Sequence, residues 1–128
     1  MKNKLVKQKN LGSYLQDISY YIVLKDKINV IEAKSLVYKI VKAIKTKLIF
    51  IKVNEMDPGF DVIAGIKESI IYLGYWGEYD FVRIFVSSCK RFNPLSVEKA
   101  IKKSFKVKSM VVNVLEDKQV EEIKKNIL

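Results

Sequence analysis

The 128-residue chain has no histidine, one cysteine and two prolines, and its five glycines form no phosphate-binding loop pattern. Without histidine and with a single thiol, the sequence offers none of the usual ligand sets for a metal site. One cysteine cannot form an intramolecular disulfide, which is typical of a reducing compartment. No apolar run reaches the ~18–20 residues that a transmembrane helix requires. We therefore expect a cytoplasmic protein with no metal and no membrane segment.

Acidic residues are also few, with 14 Asp+Glu against 24 Lys+Arg and a net charge of +10. Such an excess of positive charge is a feature of proteins that bind nucleic acid or another polyanion. The lysines are scattered along the whole chain, however, and no aromatic cluster is set among basic residues as in single-strand binding surfaces. This distribution favours lysines that coat a surface and leaves a nucleic-acid-binding module as a less favoured alternative.

Length and a hydrophobic fraction of 49% indicate one folded domain. We expect a flexible basic arm over residues 1–10 and a single domain over 11–128. Hydrophobic periodicity predicts strands at 17–24, 47–53, 60–66, 69–76, 81–87 and 108–115, and helices at 30–45, from 93–94 onward and at 117–126. The order β-α-β-β-β-β-α-β plus a C-terminal helix is typical of an α+β two-layer sandwich, with a mainly antiparallel sheet and helices on one face.

Local signals support several of these elements. Asn29 and Glu32 form a capping-box pattern before an apolar stripe of helical spacing, and Asn93 followed by Pro94 is typical of a helix start. Residues 48–51 are apolar on both faces, which suits a strand covered on one side and partly on the other. The sheet face without helices still carries apolar and aromatic residues, and such a face usually packs on a partner, often a second copy.

Residues 67–89 form the central segment, in which two strands are joined by a turn at 76–79. Ser69 opens this hairpin and Cys89 closes it. Taken alone, Ser69 is most simply a strand-edge serine and Cys89 a small buried hydrophobic residue. Glu78 in the turn is most simply solvated, and Trp76 is most simply a packing residue.

The segment resembles the core of the prokaryotic S-adenosylmethionine decarboxylases, which are pyruvoyl-dependent. The resemblance covers about residues 11–115, and the spacing from Ser69 to Cys89 matches without gaps. The matching positions are Leu11-Gly12, Pro58-Gly59, Glu68-Ser69, Trp76, Glu78-Tyr79, Ser88-Cys89 and Pro94.

In that family a serine attacks the preceding carbonyl, and the ester that forms eliminates to a pyruvoyl group, the electron sink for decarboxylation. The resemblance implies that Ser69 is the pyruvoyl precursor and that Glu68 is the residue left at the new C-terminus. Cys89 would return a proton to the substrate carbon, a role that suits a thiol.

The resemblance further implies a substrate site and partners. Glu78 would hold the ribose hydroxyls of S-adenosylmethionine, and Trp76 and Leu11 are the other candidate substrate-binding residues. The family also implies a dimer, which we expect to be a homodimer or a heterodimer with an active relative.

The chain departs from the family at the residues that handle protons. Where the family has histidines, this chain has Ile70 and Gly74, and Asp61 stands where a second serine assists the acyl shift. Gly77 replaces a proline, and the aromatic residue that stacks on adenine would fall near residues 55–56. Loss of one general acid or base typically costs ~10²–10⁴-fold in rate.

These departures predict a protein of the polyamine (spermidine) biosynthesis family that keeps the fold but has lost efficient self-processing. It would act as a dimer or regulatory subunit or as a ligand binder, without a pyruvoyl cofactor. The alternative is an active decarboxylase that cleaves between Glu68 and Ser69, with Asp61, Tyr72 or Tyr75 replacing the histidines.

Overall fold

The computed structural model describes residues 16–67 and 69–116. Within them the chain forms six strands and two helices, in the order predicted from the sequence. The predicted arm at 1–10 and the predicted tail helix at 117–126 lie outside the described residues, as do Leu11 and Glu68. The elements are β1 (Gln16–Leu24), α1 (Val30–Ala43), β2 (Leu48–Met56), β3 (Gly59–Ile66), β4 (Ser69–Trp76), β5 (Phe81–Ser88), α2 (Pro94–Ser104) and β6 (Val107–Glu116).

The strands form one sheet in the order β2-β3-β4-β5-β1-β6, and every neighbouring pair is antiparallel. Alternate residues of the central strands are buried toward α1 and α2, and they form one core with the apolar stripes of both helices. The predicted α+β two-layer sandwich is therefore confirmed. The largest fully buried side chains include Ile18, Tyr20, Ile22, Leu36, Ile40, Ile71, Leu73, Ile84 and Ile101.

Both helices begin where their capping residues predicted. The Glu32 amide donates to Asn29 Oδ1 (2.8 Å) and the Asn29 amide donates to Glu32 Oε1 (2.9 Å), so the capping box is formed. At α2 the Asn93 side chain accepts from the Leu95 amide at 3.0 Å. Helix α1 ends at Ala43, two residues before its predicted end, because Lys45 adopts a left-handed conformation (φ 58°) that a right-handed helix cannot contain.

The β2–β3 hairpin differs from its predicted form. Strand β2 continues through Met56, so the predicted loop over residues 54–59 shrinks to Asp57 and Pro58. Pairing of residues 54–56 with β3 accounts for the added length. Strand β2 lies at the edge of the sheet, and Ile49 and Phe50 are 67% and 53% exposed. The partial covering predicted for its second face is therefore not supplied by the described residues.

The face of the sheet opposite the helices, here called the open face, carries the side chains that alternate with the core positions. It includes a row of neighbouring aromatic rings, in which Trp76 lies 5.5 Å from Phe81 and Phe81 lies 6.5 Å from Tyr21 between ring centroids. None of the described helices has the length and apolar character needed to cross a bilayer.

Candidate functional site on the central hairpin

Ser69 and Cys89 lie at the same end of the β4–β5 hairpin. Ser69 pairs directly with Ser88, the residue before the cysteine. The Ser88 hydroxyl accepts from the Lys90 amide (2.9 Å) and donates to the Lys90 carbonyl (2.6 Å), which fixes the turn that follows β5. Cys89 is exposed, so the expectation of a small buried hydrophobic residue is wrong: β5 ends one residue earlier and the chain turns away from the core.

Trp76 and Glu78 lie at the other end of the same hairpin. Trp76 closes β4 opposite Phe81, and Glu78 is exposed in the connecting turn. At ~3.3 Å per residue, the length of β4 places Ser69 and Trp76 about 23 Å apart. One chain therefore cannot present Ser69 and Glu78 to the same small molecule.

A cleft of about 400 Å³ lies beside Trp76 and Glu78, between the β2–β3 turn and the β4–β5 turn. Two candidate substrate-binding residues thus share one cavity. Asp57 and Asp61 also line it, together with Tyr72. Trp76 is 40% exposed, so part of its indole is available to a ligand. The cleft combines aromatic surface with carboxylates, although the chain as a whole is basic.

Side chains from outside the β4–β5 turn and from β4 itself stabilise this turn. Lys27 Nζ donates to the Gly77 carbonyl (3.1 Å) and pairs with Asp80 Oδ1 (3.3 Å), and the Tyr75 hydroxyl donates to the same Asp80 oxygen (2.9 Å). A Cβ at position 77 would collide with the carbonyl oxygen of Pro58. The two hairpin turns touch at this point, which leaves no room for a side chain at position 77.

Asp61, Tyr72 and Gly74 form a second cluster on the open face. Asp61 and Gly74 are directly opposite each other on β3 and β4, and the Tyr72 hydroxyl donates to Asp61 Oδ1 at 2.9 Å. The Tyr72 phenol reaches this bond by crossing Gly74, where an added Cβ would collide with the phenol oxygen. Burial, followed by the hydrogen bond to Asp61, raises the pKa of Tyr72 to about 12. The phenol is therefore protonated at neutral pH and is a poor general base.

A model of the S-adenosylmethionine decarboxylase family matches residues 19–118, most of the chain. The chain belongs to the S-adenosylmethionine decarboxylase family. The crystal structure of the adenosylmethionine decarboxylase from Aquifex aeolicus VF5 is similar, with a TM-score of 0.65 over 80% of this chain and 89% of that chain. The two sequences are 21% identical, so this likeness supports the shared fold. No curated protein sequence matches the chain.

The structure adds one residue of this S-adenosylmethionine decarboxylase family member that the sequence analysis did not single out. Arg83 lies on the open face in the middle of β5, with Gly74 and Tyr21 as its cross-strand neighbours. The signal that could have found it is a lone arginine within the otherwise apolar run 81–86. In a strand of alternating burial, that position predicts a charged side chain on the face without helices.

Some of the lysines of this family member lie close together in the fold. Lys25, Lys102, Lys106 and Lys108 line a groove of about 560 Å³ between α2 and β6, and Glu98 lies among them. A nucleic-acid-binding role stays a prediction, and this groove is the place where it would be sought.

Proposed function

We propose that this member of the S-adenosylmethionine decarboxylase family is an unprocessed subunit that does not decarboxylate. It would act as a dimer or regulatory subunit, or as a ligand binder, in cytoplasmic polyamine (spermidine) synthesis, without a pyruvoyl group. The observation that carries this proposal is the hydrogen bond from Tyr72 to Asp61 over Gly74. In the family resemblance, position 74 is that of a processing histidine and position 61 that of an assisting serine.

The chemistry of self-processing explains why this replacement matters. The acyl shift requires a group that takes the proton of the Ser69 hydroxyl and a donor that stabilises the oxyanion that follows. Gly74 has no side chain, and the Tyr72 phenol has a pKa of about 12. The Asp61 side chain accepts a hydrogen bond from the Tyr72 hydroxyl, so its Oδ1 is already engaged. Each lost acid or base costs ~10²–10⁴-fold, so processing should be negligible.

Purified protein is expected to show one intact mass under denaturing conditions, because Ser69 lacks the groups that would activate it. Mass spectrometry makes this measurement, and Ser69→Ala is the matched control. Two fragments split between residues 68 and 69, with a ketone on the second and no split in the control, would instead support the active pyruvoyl-dependent decarboxylase.

The proposed dimer uses the open face. Six strands at ~4.8 Å spacing and ~26 Å length give a face of roughly 750 Å², close to the ~800 Å² per partner of a standard interface. Phe50, Trp76 and Val111 are 53%, 40% and 65% exposed there. A two-fold pairing of open faces with the strand directions reversed would bring the Glu78 end of one chain to the Ser69 end of the other. This arrangement reconciles the family roles with the ~23 Å that separate the two ends within one chain.

Val111→Glu is expected to convert the dimer to a monomer, because it places a carboxylate within the contact between two open faces. Light scattering at fixed protein concentration measures the mass. Ile31→Glu is the matched control, since Ile31 is 78% exposed on α1, in the helical layer away from the open face. A wild-type protein that is monomeric, or a control that dissociates as fully as Val111→Glu, would contradict the proposed interface.

A further inference from the structure

Positive charge is distributed very unevenly over the fold. Residues 30–45 and 90–106, which contain both helices and the turns beside them, carry ten Lys+Arg and two Glu, a charge of +8 out of the +10 of the whole chain. Residues 46–89, which contain β2 to β5, carry four Lys+Arg and six Asp+Glu. Lysines that are scattered along the sequence therefore give one layer of the fold, the helical layer, most of the excess positive charge.

The groove of about 560 Å³ between α2 and β6 lies at the edge of this layer. The Lys25 amide donates to the Lys106 carbonyl at 2.8 Å, which brings the end of β1 beside the start of β6. Four exposed lysines thus line one cavity, namely Lys25, Lys102, Lys106 and Lys108. The acids beside them are Glu98, which also lines the groove, and Asp26, which pairs with Lys106 at 3.3 Å. That pair is exposed and therefore weak, so the groove stays positively charged.

The floor of the groove is apolar. Val107, Met110 and Val112 line it, and they are half-buried against the core. A single strand of nucleic acid suits such a groove, because the lysines can contact its phosphates while its bases lie on the apolar floor. The volume is that of a small-ligand site, which admits one strand but not a duplex.

Two other anionic partners match these features less closely. Protein–protein interfaces are depleted in lysine, whereas lysine is a common phosphate contact in complexes with nucleic acid. A membrane surface is bound by apolar side chains that insert into it. In this groove the apolar side chains are half-buried and the lysines around them are exposed, so the lysines would meet a flat surface first.

We propose that the groove between α2 and β6 binds a single-stranded nucleic acid through its phosphates. Lys25, Lys102, Lys106 and Lys108 make the contacts, and the sequence of the strand has little influence because the phosphates carry none of it. The groove lies in the helical layer, on the other side of the sheet from the open face, so a strand and a second subunit can bind together. Binding in the groove does not depend on whether Ser69 is processed.

The test is a titration of labelled oligouridine with the full chain, followed by fluorescence anisotropy at several salt concentrations. Neutralising four phosphates of a single strand gives a slope of about −2.8 in a plot of log affinity against log salt concentration. Affinity is therefore expected to fall ~50-fold between about 50 mM and about 200 mM salt.

A double variant locates the contacts. Lys102→Gln with Lys108→Gln removes two of the four lysines and is expected to reduce the slope to about −1.4. Lys52→Gln with Lys67→Gln is the matched control, because it removes two exposed positive charges from β2 and from the turn after β3. The control is expected to keep the slope of about −2.8, since neither residue lines the groove.

Four results would overturn the proposal. The first is the absence of oligouridine binding at about 50 mM salt, with or without binding to vesicles that contain phosphatidylserine. The second is an equal loss of slope in the two double variants, which would assign the affinity to net charge. The third is tighter binding of a duplex of the same length. The fourth is equal competition by polyglutamate, which would assign the groove to an acidic polypeptide.

Discussion

Replacing Ile84 with alanine is expected to lower the free energy of unfolding by about 2–5 kcal/mol. Ile84 is fully buried in the middle of β5, where its cross-strand neighbours are Leu73 on β4 and Tyr20 on β1, both also fully buried. Truncation would leave a cavity in the core between the sheet and the helices, where the paired strands limit how far the neighbours can move into it. Chemical denaturation at one protein concentration measures the loss, because dimerisation would make stability depend on concentration.

Ile49→Ala is the matched control for this substitution. It removes the same atoms from β2 at the edge of the sheet, where Ile49 is 67% exposed, and is expected to change stability by about 0.5 kcal/mol or less. Similar losses for the two variants would show that the core does not lie between the sheet and the helices. They would also remove the basis for assigning Arg83 and Asp61 to the open face.

The order of the elements could be predicted from the sequence because its signals are local. The capping box of Asn29 and Glu32 and the Asn93-Pro94 helix start depend on residues within one turn of helix. The length of β2 could not be predicted in the same way. Its last residues become strand because they pair with β3, and the turn at Asp57-Pro58 has no composition that fixes its length.

The candidate site was predictable as a set of residues but not as an arrangement. The resemblance selected Ser69, Glu78 and Cys89 by their spacing, and spacing alone does not show that a strand about 23 Å long separates Ser69 from Glu78. Gly74 illustrates the same limit. The family resemblance places a histidine there, but only the pairing between β3 and β4 reveals that the Tyr72 phenol crosses the glycine to reach Asp61.

The triple variant Asp61→Ser, Tyr72→Ala, Gly74→His is expected to restore self-cleavage between residues 68 and 69. The first and last changes return the serine and histidine of the family resemblance, and Tyr72→Ala removes the phenol that would collide with any side chain at position 74. Regaining even one general acid or base should raise the rate by ~10²-fold or more. Denaturing mass spectrometry would then detect two fragments, the second with a keto-blocked terminus. The same triple variant with Ser69→Ala should remain intact.

Mixing chains tests whether the two ends of the hairpin act across a dimer. Position 74 lies about 17 Å along β4 from Ser69 of the same chain, too far for direct proton transfer. We therefore expect the triple variant with Ser69→Ala, which cannot cleave itself, to promote cleavage of wild-type chains after the two are unfolded and refolded together. Wild-type chains refolded alone should stay intact. Cleavage of the triple variant that is unaffected by Val111→Glu would place both groups within one chain and would contradict the face-to-face dimer.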